Sequence, residues 1–264
     1  MERFDKIRSA KQSVLCVGLD PEIGKLPLAF QEMPDGVFRF CQAIIKATSD
    51  YAAAYKINFA FFERFGARGW QIMERLVEEM PSDCLSIADA KRGDIGNSAK
   101  HYAEAVFGKL GFDAVTVNPY MGKDSAVPFL AWHDKFIFFL GLTSNAGAAD
   151  FQYYTNHSRP LYSFVAETIE TWNEAKNCGL VVGATRPQQL QELRSIAPTL
   201  TFLIPGIGAQ GGSVEKVLQN MGDANGLLSA SRSILYASAG DDFAEAARGE
   251  AQHLQQKMQH VMAL

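Results

Sequence analysis

Eight short apolar runs, separated by segments with helical periodicity, constrain this chain more than any other feature. They occupy 14–19, 52–57, 85–88, 114–117, 136–142, 180–182, 201–204 and 226–228. They read as largely apolar stretches, as strands buried on both faces do. Between them, 69–80 places Ile72, Leu76 and Val77 on one helical face, and 187–196 opens with proline and continues through Leu190 and Leu193. Eight strands alternating with helices predict an α/β fold of the parallel (β/α)8 TIM-barrel kind, with an open doubly wound sheet as the alternative. The 264 residues, 47% of them hydrophobic, suit one barrel domain over 1–264, since no linker, repeat or low-complexity tract divides them. The stretch 145–160, polar and tyrosine-containing, is long enough to form a lid.

The composition excludes several function classes. Net charge is −4 and the basic residues are scattered, so no broad surface for a nucleic-acid backbone is expected, and any bound phosphate should be small. The N-terminal stretch lacks the apolar core of a secretion signal and no apolar run is long enough to span a bilayer, which predicts a cytoplasmic protein without membrane contact. Cys16, Cys41, Cys84 and Cys178 are too dispersed for a metal or redox pair and read as reduced core residues. The five histidines lack zinc-ligand spacing, so no metal is expected.

In a parallel barrel the chemistry sits where strands end. Asp20 ends the first run, Lys56 and Asn58 the second, Asp89 and Lys91 the third, Thr143 and Ser144 the fifth, and Ser231 and Arg232 follow the eighth. Side chains two apart on a strand share a face, so Asp89 and Lys91 should both point into the mouth, with Gly93 turning the chain before Asp94. Lys56 from a neighbouring strand extends this into a row of alternating charge. Such a row can be a structural ion-pair network. It also suits a lysine held protonated between carboxylates, ready to give its proton to a developing carbanion.

Pro205-Gly-Ile-Gly-Ala-Gln-Gly-Gly-Ser213 follows the seventh run and contains a G-x-G-x-x-G string. The acidic residue that a dinucleotide site needs about twenty positions later is missing. In a barrel, the loops after strands seven and eight frequently hold phosphate. Gln210 and the glycine amides on one loop and Arg232 on the other are suited to that task.

Asp89-Ala-Lys91-Arg-Gly-Asp94-Ile95 resembles the D-x-K-x-x-D-I signature of the orotidine 5'-phosphate decarboxylase family. Val17-Gly-Leu-Asp20, Tyr55-Lys-Ile-Asn58, Phe62-Glu-Arg-Phe-Gly-Ala-Arg-Gly69, Leu142-Thr-Ser-Asn145, Val182-Gly-Ala-Thr185 and Pro205-Gly-Ile-Gly208 agree with it in order, the Phe62 block being similar to the type 2 subgroup. The resemblance implies a cofactor-free carboxy-lyase of pyrimidine biosynthesis that makes uridine monophosphate. It further implies a homodimer whose sites combine Asp89 and Lys91 of one chain with Asp94 and Ile95 of the other. By the same resemblance Asp20 and Lys56 hold ribose hydroxyls and Ser144 contacts the pyrimidine. Pro205 belongs to the substrate site, while Gln210 and Arg232 grip the phosphate. Ser98 stands where many relatives carry Thr, and Ser231, where many carry Gly, would act through its backbone N–H. The nearest alternatives are a magnesium-dependent sugar-phosphate enzyme with a similar D-x-K-x-x-D signature and a non-catalytic phosphate-metabolite sensor.

Overall fold

The computed structural model describes residues 2–208, 212–222 and 225–262. Its barrel strands fall on the eight apolar runs: β1 Leu15–Leu19, β2 Ala54–Asn58, β3 Leu85–Arg92, β4 Ala114–Val117, β5 Phe136–Leu142, β6 Cys178–Val182, β7 Thr201–Pro205 and β8 Gly226–Ala230. Every neighbouring pair is parallel, and β8 closes on β1 with Leu228 opposite Leu15. That closing pair makes the chain a (β/α)8 TIM barrel and rules out the open sheet.

Strand parity separates two cores. Leu15, Val17 and Leu19 of β1 face outward and join the large cluster under the surrounding helices. Cys16, Ala54, Ile87, Phe138, Val181, Leu203 and Leu227 face inward and fill the barrel axis. An unforeseen helix, Glu2–Lys11, adds Phe4 and Ile7 to this inner core. It is tied down by Arg3, which bonds to the Cys84 carbonyl and to Asp113 at the N-terminal ends of the strands. One end of the barrel is thereby plugged with apolar side chains. All four cysteines are buried and unpaired, as expected.

Helix Pro187–Ile196 has the expected bounds, whereas the helix expected at 69–80 runs from Ala67 to Glu78. Gly66, at φ +59°, turns the chain into it, and Gly69 lets it lie against the preceding helix, since a Cβ there would come within 1.8 Å of the Phe62 carbonyl oxygen. The segment 145–160 contains a helical turn, Ala148–Phe151, and a hairpin of Thr155–Asn156 with Arg159–Pro160. Gln152 anchors it by accepting from the Thr143 N–H at 2.8 Å and donating to the Thr143 hydroxyl at 2.8 Å.

The β3–β4 ladder is irregular at one place. Ala88 stands opposite Val115, and the next pair is Arg92 with Val117, so Asp89, Ala90 and Lys91 share the space opposite Thr116 alone. This bulge lies at the open end of the barrel, where an extra residue can re-aim side chains.

Candidate active site

Asp89 is the centre of the mouth. Lys56 reaches it from the adjacent strand, Nζ to Oδ2 at 3.0 Å, and Lys91 reaches the other oxygen, Nζ to Oδ1 at 2.7 Å. The β2–β3 register explains the convergence: Asn58 pairs with Asp89, so Lys56, two residues earlier, shares the inward face one step lower and extends its chain upward. Thr116 of β4 donates its hydroxyl to Asp89 Oδ1 at 3.0 Å.

These contacts fix the charge states. Burial works against a charged Lys56, but the carboxylates of Asp20 and Asp89 outweigh it and hold the ammonium above the ordinary lysine value. Burial likewise works against an ionised Asp89, and Lys56 and Lys91 reverse it, keeping that carboxyl well below the ordinary range. Lys56 is almost fully enclosed, while the Lys91 side chain remains 49% exposed. The row therefore runs from a buried lysine that fixes the aspartate to one that is half open to solvent.

Beside the row lies a cavity of about 360 Å³, lined among others by Asp20, Lys56, Pro205, Ser231 and Arg232. One oxygen of Asp20, Oδ1, and the Ser231 hydroxyl are buried without a hydrogen-bond partner among the described residues. Buried polar atoms are seldom left so, and both residues are among the lining of the cavity. Tyr236 holds the Asp20 loop by donating to the Asp20 carbonyl at 3.1 Å and accepting from the Glu22 N–H at 2.8 Å. On the glycine loop, Gly206 and Gly208 have φ of +102° and +76°, which only glycine adopts without strain. Arg232 is exposed at the cavity edge and forms no ion pair with a described residue.

Other expected site residues lie apart from this group. Asp94 accepts from the Ile95 N–H at 2.8 Å, and no ion pair links it to Lys91 within the chain. The compact Asp-Lys-Asp cluster read from the run is thus not closed inside one chain, because the turn at Gly93 carries Asp94 beyond the strand. Ile95 and Ser98 are exposed, on and just before the helix Gly96–Ala103. Ser144 follows β5 and packs against Gly183, where a Cβ would come within 2.2 Å of its hydroxyl oxygen. Gln210 lies outside the described residues.

Sequence reasoning missed Thr116, Tyr236 and the ion pair of Arg92 with Glu63. That pair joins the D-x-K-x-x-D-I run to the Phe62–Gly69 block, and its guanidinium also stacks 5.4 Å from the Phe59 and Tyr102 rings. An arginine inside the signature and a glutamate inside the block were the available signal. A threonine in an apolar strand gives almost none.

Residues 13–248 match the family model described as "Orotidine 5'-phosphate decarboxylase / HUMPS family". The chain belongs to this family. It is 49% identical over 257 residues to the orotidine 5'-phosphate decarboxylase of Flavobacterium johnsoniae, covering 96% of this chain and 94% of that one. Among solved structures it is similar to the OMP decarboxylase of Leishmania donovani, with a TM-score of 0.87, 38% identity, and coverage of 100% of this chain and 98% of that one. It also matches the Leishmania donovani UMP synthase, with a TM-score of 0.89 and 40% identity over 99% of this chain, spanning 56% of that longer protein. A family barrel of this kind accounts for why the Lys56–Asp89–Lys91 row lies at the C-terminal ends of the strands.

Proposed function

We propose that this chain decarboxylates orotidine 5'-phosphate to uridine monophosphate, in pyrimidine biosynthesis in the cytoplasm, as one barrel domain without a cofactor. The observation that carries the reading is the Lys56–Asp89–Lys91 row at the edge of a cavity with a glycine loop and an exposed arginine. The curated relatives' names agree with it.

Phosphate binds to Arg232, the glycine-loop amides and Gln210, and the ribose hydroxyls are taken by Asp20 and Lys56, whose positions around the cavity suit this division. Pro205, Ser231 through its N–H, Ser98 and Ser144 complete the enclosure. The substrate carboxylate then lies beside Asp89. When the bond from ring carbon to carboxylate breaks, its electron pair stays on the carbon. The Lys91 ammonium stabilises that charge and delivers the proton that replaces carbon dioxide. Lys91 recovers a proton from water. Binding energy from the remote phosphate is realised at the reacting carbon.

The active form in this reading is a homodimer, with Asp94 and Ile95 of the second copy completing each site. Asp94, which forms no ion pair with a described residue, and the exposed apolar residues on adjoining elements, Ile95 at 53%, Tyr120 at 83% and Val127 at 49%, support it. No nucleic acid takes part. Among the described residues no helix is long and apolar enough to cross a membrane.

The test is the loss of ultraviolet absorbance when purified protein meets orotidine 5'-phosphate, with and without a chelator. Chelator-insensitive conversion supports the reading. Conversion abolished by chelator, or no conversion, overturns it in favour of a magnesium-dependent sugar-phosphate reaction or of binding without turnover. Mixing inactive Lys91→Ala and Asp94→Asn proteins tests the shared site, because mixed dimers regain one intact site; no recovery on mixing sinks it.

A further inference from the structure

Thr116 occupies the gap that the bulge opens between β3 and β4. Three consecutive residues, Asp89, Ala90 and Lys91, stand against it, so the regular β3–β4 pairing leaves the Lys91 N–H to be satisfied otherwise. Its hydroxyl takes over that duty. The Lys91 N–H donates to Thr116 Oγ1 at 2.9 Å, and the same hydroxyl donates its proton to Asp89 Oδ1 at 3.0 Å. The direction is fixed by chemistry: an N–H can only donate and an ionised carboxylate can only accept, so the hydroxyl has one orientation. Thr116 is 1% exposed, and its neighbours in the strand, Ala114, Val115 and Val117, are apolar. A polar side chain enclosed in this way must be fully used.

Lys91 itself sits at φ +45°. Lysine has no intrinsic preference for this left-handed conformation, which side chains with a Cβ avoid. It persists only where surrounding contacts over-determine it. Among the described residues, the bond from its N–H to Thr116 fixes its backbone, and the ion pair to Asp89 fixes its ammonium. Both contacts meet at the same threonine, because Asp89 Oδ1 is the oxygen that receives Lys91 Nζ as well as the Thr116 hydroxyl.

We propose that Thr116 is a positioning residue for decarboxylation. Its hydroxyl holds Lys91 in the strained bulge conformation and aims the Asp89 oxygen that orients the Lys91 ammonium, without touching the substrate. The inference rests on the reading of Lys91 as proton donor. It specifies where that lysine's precision comes from: a single hydroxyl on the next strand, which takes the Lys91 N–H in place of a ladder partner.

The experiment uses Thr116→Val, which keeps the shape and removes the hydroxyl, and Thr116→Ser, which keeps the hydroxyl and removes a methyl group. Turnover of orotidine 5'-phosphate and the dissociation constant of uridine monophosphate are measured for both and for the unaltered protein. A misplaced catalytic group costs on the order of 10²-fold. The expected result is a fall of about that size in kcat for Thr116→Val, a dissociation constant unchanged within about threefold, and recovery of most of kcat in Thr116→Ser. Unchanged kcat in Thr116→Val overturns the proposal. So does a Ser variant as slow as the Val variant, which would make the methyl group the determinant, and so does a Val variant whose nucleotide affinity falls as far as its kcat. Failure of the unaltered protein to decarboxylate overturns the functional reading instead, which keeps the two failures distinct.

Discussion

The barrel carries an aspartate network at each end, and the two differ in how completely they are satisfied. At the plugged end Asp113 accepts from the Ser86 N–H at 2.9 Å and from the Ser86 hydroxyl at 3.0 Å, pairs with Arg3, and has Lys135 at 4.0 Å. Every one of these partners belongs to the scaffold, and Phe4 and Ile7 seal the axis beside them. At the open end Asp89 is equally well held, but its row ends in a half-exposed lysine, and beside it lie an Asp20 oxygen and a Ser231 hydroxyl without partners among the described residues, and an exposed arginine. A closed network serves the fold. A network with valences left over is arranged for something that is not part of the chain.

The sharpest way to break this comparison is to remove one cation from each end. Lys91→Ala should lower turnover by about 10⁴-fold or more, since it removes both proton donor and charge stabilisation. Binding of uridine monophosphate and the unfolding transition should stay near those of the unaltered protein. Turnover within about tenfold of the unaltered protein would remove Lys91 from the chemistry.

Lys56→Met should act on stability as well as on rate, because it strands a nearly buried carboxylate. The expected loss is about 3 kcal/mol in urea unfolding. A loss below about 1 kcal/mol would mean that Lys91 alone compensates Asp89.

Arg232→Ala should weaken uridine monophosphate binding by about 10- to 100-fold, equivalent to about 1.5–3 kcal/mol for hydrogen bonds to a charged group, and leave uridine binding unchanged. Equal losses for the two ligands would separate Arg232 from the phosphate.

The pH dependence sharpens the comparison further. The Asp89 pKa is depressed in the folded protein, so its contribution to stability is present above the ordinary Asp value of about 3.9 and is lost as pH falls through the folded value. Lys56 is raised, so its contribution is present below about 10.4 and is lost as pH rises through the folded value. The stability difference between the unaltered protein and Asp89→Asn should therefore be flat from about pH 5 to 9 and shrink in stronger acid. A slope within that window would contradict an ionised row.

Arg3→Ala at the plugged end should have the smallest effect. Its side chain is 50% exposed, which limits the loss to about 1 kcal/mol or less, with kcat unchanged. A fall in kcat would show that the two ends are coupled.

Much of this molecule was legible in particular residues. The eight runs gave the strands because a strand buried on both faces cannot hide its composition, and the charges at the end of the third run marked the mouth, although a bulge rather than the regular two-residue period brings Asp89 and Lys91 together there. Pro187 set a helix start that held to the residue. The Glu2–Lys11 plug was not legible, because its apolar contribution is essentially Phe4 and Ile7, too sparse a pattern until the barrel end is there to receive it.

The sequence by itself determined the barrel and the strand ends that carry Lys56, Asp89 and Lys91, since periodicity and strand-end chemistry are local properties of the chain. Only the tertiary structure decided that β3 bulges against Thr116, that Lys91 takes a left-handed backbone there, and that Asp94 leaves the row within one chain. Register between strands and the fate of a turn depend on contacts between residues distant in sequence, and no local pattern encodes them.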